Sequence, residues 1–301
     1  MKDFQKNCIN NKEGSKMLKK IEAVFFLMCL SVFSKTNKHI IEEGTALQSQ
    51  IFNKYFNTVS QTRKKGDTNL LNKVYSEVIT WLYDRNKQIY ENELSRLENS
   101  KSAERKTFKP LMLNYNVYVN HNSLFLKEFF SNLLEEKTDY QSYVYTMSYI
   151  ALENFSINVN TAIEAGKDPS TVDENLKTVI NYLHNSSDKR DKEEYMTMSS
   201  KELKQSVEEE FINLENAVDK RVEEGGNALR KQGNTVKSNL KKMKKYYDEY
   251  DEAFDRYIDS TALDSKSKES IRKLVKFEKI SDLKFLMESL ETGKGEGNVQ
   301  Q

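Results

Sequence analysis

Cysteine, proline and glycine are scarce in this 301-residue sequence, with 2, 2 and 10 copies respectively. Cys8 and Cys29 both lie near the start, which leaves the rest of the chain without a disulfide framework, a zinc knuckle or a thiol nucleophile. So little proline and glycine argues against a loop-rich or all-β fold and for long helices with solvated faces. An excess of one charge sign is missing too. Lysine plus arginine number 47 against 46 acids, so the chain lacks the basic surplus usual in nucleic-acid binders. No phosphate-cradling glycine loop, serine elbow or dinucleotide fingerprint occurs. His39, His121 and His184 are scattered, with no metal-ligand spacing around them. The many carboxylates fall on amphipathic patterns, where they are ordinarily solvated surface. The expectation is a non-enzyme, without catalytic residues, cofactor or metal.

What the sequence does hold is helical periodicity. From Ser199 to Ser260 the apolar residues run Leu203, Val207, Phe211, Leu214, Val218, Val222, then Leu229, Val236, Leu240, Met243, Tyr247, Tyr250, Phe254 and Tyr257. Steps of three and four mark one face of a helix, and no period of two is sustained. Ser199 and Glu202 have capping-box spacing. Gly225, Gly226 and Gly233 interrupt the pattern, each worth about 1 kcal/mol against helix relative to alanine. Either a long hinged helix or an antiparallel helical hairpin follows. The fold class expected is all-α, an elongated multi-helix bundle of about six to nine helices organised by this stretch.

The remaining chain supplies its partners. Ile40, Leu47, Ile51, Tyr55 and Val59 recur at helical spacing up to Lys64-Lys65-Gly66. A second helix spans Leu70 to Asn99, with Trp81, the only tryptophan, as a core anchor. Asn99 to Lys109, ahead of Pro110, is a polar connection. Leu111 to Glu136 is an aromatic helix, broken or loosened at Asn120-His121-Asn122. Another helix covers Asp139 to Ala165, and Thr171 to Leu183 gives a short one. Asp264 to Leu290 closes the fold as one helix or a pair. The expected divisions are residues 1–34 (extension and signal), 35–184 (first helical region), 185–198 (polar linker), 199–291 (second helical region) and a flexible tail at 292–301.

Met17 to Ser34 has the layout of a secretory signal peptide. Lys19-Lys20 begin it, an apolar run from Ala23 to Phe33 follows, and Val32 and Ser34 occupy the positions read at cleavage. The run is about eleven residues, short of the ~20 that a spanning helix needs. Translation is expected to begin at Met17 and cleavage to follow Ser34, which would remove both cysteines and place the protein outside the cell. Asn154-Phe-Ser156 and Asn185-Ser-Ser187 are then glycosylation sequons, Asn185 in the more polar surroundings.

Lys237, Lys241, Lys242, Lys244 and Lys245 form a basic cluster directly before the tyrosine-rich run Tyr246 to Tyr257. As a binding surface, the lysines would meet sulfated sugars or anionic lipid and the tyrosines a protein partner. As plain structure, the lysines would pair with acids and the aromatics would fill the core, which their unbroken period favours.

The layout as a whole, carried by the signal-like Met17–Ser34, the thiol-free remainder and the lysine- and tyrosine-rich helix at Lys241–Tyr257, resembles the 34 kDa salivary secreted proteins of culicine mosquitoes. That resemblance implies a salivary protein without catalytic activity that binds host molecules or components of the mouthparts. The expected function is therefore a secreted binding protein acting on an extracellular protein or anionic polymer, as a monomer and without a transmembrane segment. A self-assembling coiled-coil protein and a helical lipid carrier are the alternatives.

Overall fold

The structure, a computed structural model, describes residues 68–98, 103–133 and 197–292, together with Phe155, Asn158, Val159 and Ala162. Five helices make up the described chain: α1 (Thr68–Glu98), α2 (Ala103–Leu133), α3 (Ser200–Glu224), α4 (Gly226–Ser260) and α5 (Ser265–Thr292). No strand occurs among the described residues, and the fold is an all-α bundle. The expected signal segment, the helices over 40–64, 139–165 and 171–183, His39 and His184, both sequons and the tail beyond Thr292, which itself ends α5, lie outside the described residues, apart from the four residues named above.

Of the two arrangements open for Ser199 to Ser260, the chain adopts the hairpin. Lys237 pairs with Asp219, Lys241 with Glu215, Lys244 with Glu208 and Lys204 with Asp251. Rising numbers on α4 meet falling numbers on α3, so the two helices run antiparallel. The turn sits at Gly225 and Gly226, and Gly226 takes φ 62°, a left-handed conformation that suits glycine. Gly233 serves the close approach of the helices. A Cβ there would sit 2.1 Å from Val222 Cγ2. The capping box forms as expected: the Ser199 hydroxyl accepts from the Glu202 amide at 3.2 Å, and the Ser199 amide donates to Glu202 Oε2 at 2.7 Å.

Helix α4 is the centre of the bundle. Its row Val236, Leu240, Met243, Tyr247, Tyr250, Phe254 and Tyr257 is fully buried, in alternating steps of four and three. Helix α2 lies antiparallel along this row, with Phe108 against Tyr257, Tyr115 against Tyr250 and Tyr118 against Tyr247. Helix α5 is one helix, antiparallel to α4 and parallel to α3, to whose first turn it is tied by Glu269. That carboxylate accepts from the Ser200 amide at 2.6 Å and the Ser200 hydroxyl at 2.8 Å. A single apolar core runs from Ile79 to Leu290 through all five helices.

Two expectations for the first half need correcting. The connection before α2 is short, because α2 begins at Ala103 and carries Pro110 inside it. Proline forfeits one backbone hydrogen bond, but Phe108, Leu111 and Met112 around it are buried and hold the turn. Nor does α2 break at Asn120-His121-Asn122. Asn122 falls on the buried face between Tyr118 and Phe125, and packing there outweighs the few tenths of a kcal/mol by which asparagine disfavours helix. Trp81 is only partly buried and packs at the core's edge, with the Arg85 guanidinium 5.0 Å from its ring centre.

Candidate functional site

The five lysines singled out in the sequence separate into two groups. Lys237 and Lys244 are drawn into the seam of the α3–α4 hairpin. Lys237 Nζ donates to Asp219 Oδ1 at 2.6 Å, and Lys244 lies 2.7 Å from Glu208 and 3.0 Å from Asp248. The bond to Asp219 raises Lys237 above the ordinary lysine range. Burial pulls Lys244 down, but its bonds to Glu208 and Asp248 outweigh that and leave it raised. Lys241, Lys242 and Lys245 instead point to solvent. Lys241 meets Glu215 at 3.4 Å and Lys245 meets Glu249 at 3.7 Å, with both lysine side chains about two-thirds exposed (69% and 65%).

Beside this exposed row the His121 imidazole of α2 stacks on the Tyr246 ring of α4, centres 4.2 Å apart and planes 16° from parallel. Lys245 Nζ lies 5.1 Å from the same Tyr246 ring. Burial, followed by Lys242 and Lys245, lowers the His121 pKa. That shift favours the neutral imidazole, and the face holds three ammonium groups beside a flat pair of rings. Asn154 and Asn185 lie outside the described residues.

A second cluster, which the sequence reading missed, is buried where α2, α3, α4 and α5 meet. Lys279 of α5 is 2% exposed. Its ammonium donates to Tyr118 Oη at 3.2 Å and sits 5.4 to 5.5 Å from the ring centres of Tyr118, Phe211 and Tyr247. These rings come from α2, α3 and α4, so Lys279 is caged by three helices at once. Neighbouring Glu278 is also buried and accepts from Asn158 Nδ2 at 2.7 Å. Asp282, one turn on, is half-buried at the rim. A cavity of about 30 Å³ lies among Tyr115, Tyr118, Tyr250, Glu278, Lys279 and Asp282, large enough for one or two waters. Burial pushes Glu278 up to about 8 and Asp282 up to about 6, and it pulls Lys279 down to about 8.

A third arrangement joins α4 to α5. Asp251, Asp255 and Asp259 of α4 face Lys276, Arg272 and Lys268 of α5 in antiparallel order. Lys276 Nζ donates to Asp251 at 2.7 Å and Asp255 at 3.2 Å, Arg272 meets Asp255 at 3.6 Å and also Asp259, and Lys268 reaches the Asp259 carbonyl at 3.0 Å. The Lys276–Asp251 pair is wholly buried.

One sequence signal pointed to both missed clusters. In Leu274-Val-Lys-Phe-Glu-Lys-Ile280 the apolar residues fall on every side of the helix, so the charges between them must be covered too. No group of metal-ligating side chains occurs among the described residues. Comparison with family models, with curated proteins and with solved structures returned no match.

Proposed function

We propose that this protein is a secreted, non-enzymatic binding protein that holds an extracellular anionic polymer, such as a sulfated polysaccharide, on the face formed by Lys241, Lys242, Lys245 and the His121–Tyr246 stack. The observation that carries this is the division of the lysine cluster: Lys237 and Lys244 are drawn into the hairpin seam, Lys242 and Lys245 reach solvent, and Lys241, though 3.4 Å from Glu215 across the seam, keeps a side chain 69% exposed. Both pairs are long and largely solvated, with the carboxylates of Glu215 and Glu249 partly exposed, and such pairs are worth about 0–1 kcal/mol, so an incoming polyanion can displace them. Stacked rings next to cations suit a chain of charged sugars. The signal-like Met17–Ser34 and the resemblance to salivary secreted proteins support the extracellular placement. Burial of the α4 stripe inside one chain favours this reading over self-assembly.

The test is retention on an immobilised sulfated polysaccharide over a salt gradient, with light scattering to fix the mass. The intact protein is expected to elute as a monomer at elevated salt. Lys241/Lys242/Lys245→Ala is expected to pass through unretained with an unchanged circular dichroism spectrum. Equal retention of the two proteins would remove the site, and a dimer with no affinity for the matrix would support assembly instead.

A further inference from the structure

Glu278 and Lys279 of α5 sit where a well-packed bundle would carry apolar residues, with Asp282 completing a charged triad at the rim. Replacing buried charges by apolar groups of similar size is often neutral or stabilising, so their presence calls for a physical account. Two of its members are held by different parts of the fold. Tyr118 of α2 accepts from Lys279, and Phe211 of α3 and Tyr247 of α4 complete its cage. Asn158 holds Glu278 through one carboxylate oxygen. The other, Oε1, and the Tyr247 hydroxyl are both buried without a hydrogen-bond partner among the described residues. A change of charge on the triad is therefore felt at every helix that α5 packs against.

We propose that Glu278, Lys279 and Asp282 form a protonation-controlled latch, whose charge state sets how firmly α5 is docked into the bundle.

The direction follows from linkage. Glu278 and Asp282 are raised in the folded chain, so folding binds protons and stability falls as pH rises, from about 4 to 6 for Asp282 and from about 4.5 to 8 for Glu278. Lys279 is lowered, so the folded chain sheds its proton first and stability recovers from about pH 8 to 10.5. Docking is weakest near pH 8. The groups facing the triad do not reverse this. From α2 come Tyr115 and Tyr118 and from α4 Tyr247 and Tyr250, all held well above the ordinary phenol range by burial and so neutral throughout. Asp251 of α4 is held by Lys276 and Lys204, and α3 presents Phe211, while its Glu210 is paired with Lys284.

The latch is tested on the full chain by thermal unfolding from pH 5 to 10, with amide exchange of α5 at pH 6 and pH 8 corrected for intrinsic rates. We expect Tm to fall by on the order of 5 °C between pH 5.5 and 8 and to level or rise above that. Exchange in α5 should speed up at pH 8 more than in α4. In Glu278→Gln, which keeps an acceptor for Asn158 but cannot ionise, most of the fall should vanish. A flat Tm for the unaltered chain, or an equal fall in Glu278→Gln, overturns the proposal. Should that variant fail to fold, the unaltered chain's Tm profile and its α5-to-α4 exchange ratio still decide the matter alone.

Discussion

Lysine does opposite work on α4 and on α5. On α4, Lys241, Lys242 and Lys245 are crowded in sequence, yet each extends into water, and the Glu215 and Glu249 carboxylates beside Lys241 and Lys245 stay partly exposed. On α5, Lys276 and Lys279 are three residues apart within an apolar run and are 1% and 2% exposed. Lys276 is neutralised by two aspartates, whereas Lys279 is met by three aromatic rings, one of them the Tyr118 phenol that accepts its hydrogen bond. Density of charge therefore marks the surface here, and isolation of charge among apolar residues marks the core. The free energy at stake is larger for the isolated ones, because a buried charge that loses its partner cannot turn to water.

That contrast predicts a graded set of outcomes. Lys276→Ala leaves the buried Asp251 carboxylate with only Lys204, 3.5 Å away, and is expected to destabilise the fold by about 3 kcal/mol in urea unfolding. The double variant Lys276→Met with Asp251→Leu should regain most of that loss, and if it does not, the ladder contributes more than charge pairing. Gly233→Val drives a side chain into Val222 and should lower stability by about 1–3 kcal/mol through hairpin separation. Ser199→Ala removes the acceptor for the first turn of α3 and should cost about 1 kcal/mol, seen as a lower urea midpoint with an unchanged slope. At the bottom of the scale, Lys241/Lys242/Lys245→Ala should shift stability by no more than about 1 kcal/mol, since exposed pairs contribute so little. A loss comparable to that of Lys276→Ala would erase the distinction between the two helices.

The C-terminal half was largely legible. Leu203, Val207, Phe211, Leu214 and Val218 are all buried as their period requires, and Ser199 caps as its spacing with Glu202 requires. Helix or hairpin at Gly225 was not legible, because both satisfy the same local pattern. The choice is made by Lys237 to Asp219 and Lys244 to Glu208, contacts between residues far apart in sequence. In α2 local signals misled: Pro110 and Asn120-His121-Asn122 read as breaks, but burial of Phe108, Tyr118 and Phe125 in the core overrides both the few tenths of a kcal/mol at asparagine and the roughly 3 kcal/mol at proline. The exposed lysines were visible as a cluster, though not which of the five would be spent on the hairpin. The α5 triad was hidden because a lysine beside a glutamate reads as solvated surface unless the whole turn around it is seen to be apolar. The ladder of Asp251, Asp255 and Asp259 against Lys268, Arg272 and Lys276 was written in matching steps of four, yet only the antiparallel packing of α4 and α5 makes those steps meet.

The division between surface and core lysines is tested most directly by the rate at which each amine of the folded full-length chain is acylated at pH 8, resolved by peptide mass spectrometry. Lys241, Lys242 and Lys245 are predicted to label at the rate of a free lysine, with Lys237 and Lys244 slower. Lys276 and Lys279 should stay unlabelled until the chain is unfolded in denaturant. Labelling of Lys276 or Lys279 at the rate of the α4 row, while the circular dichroism remains that of the folded protein, would contradict it.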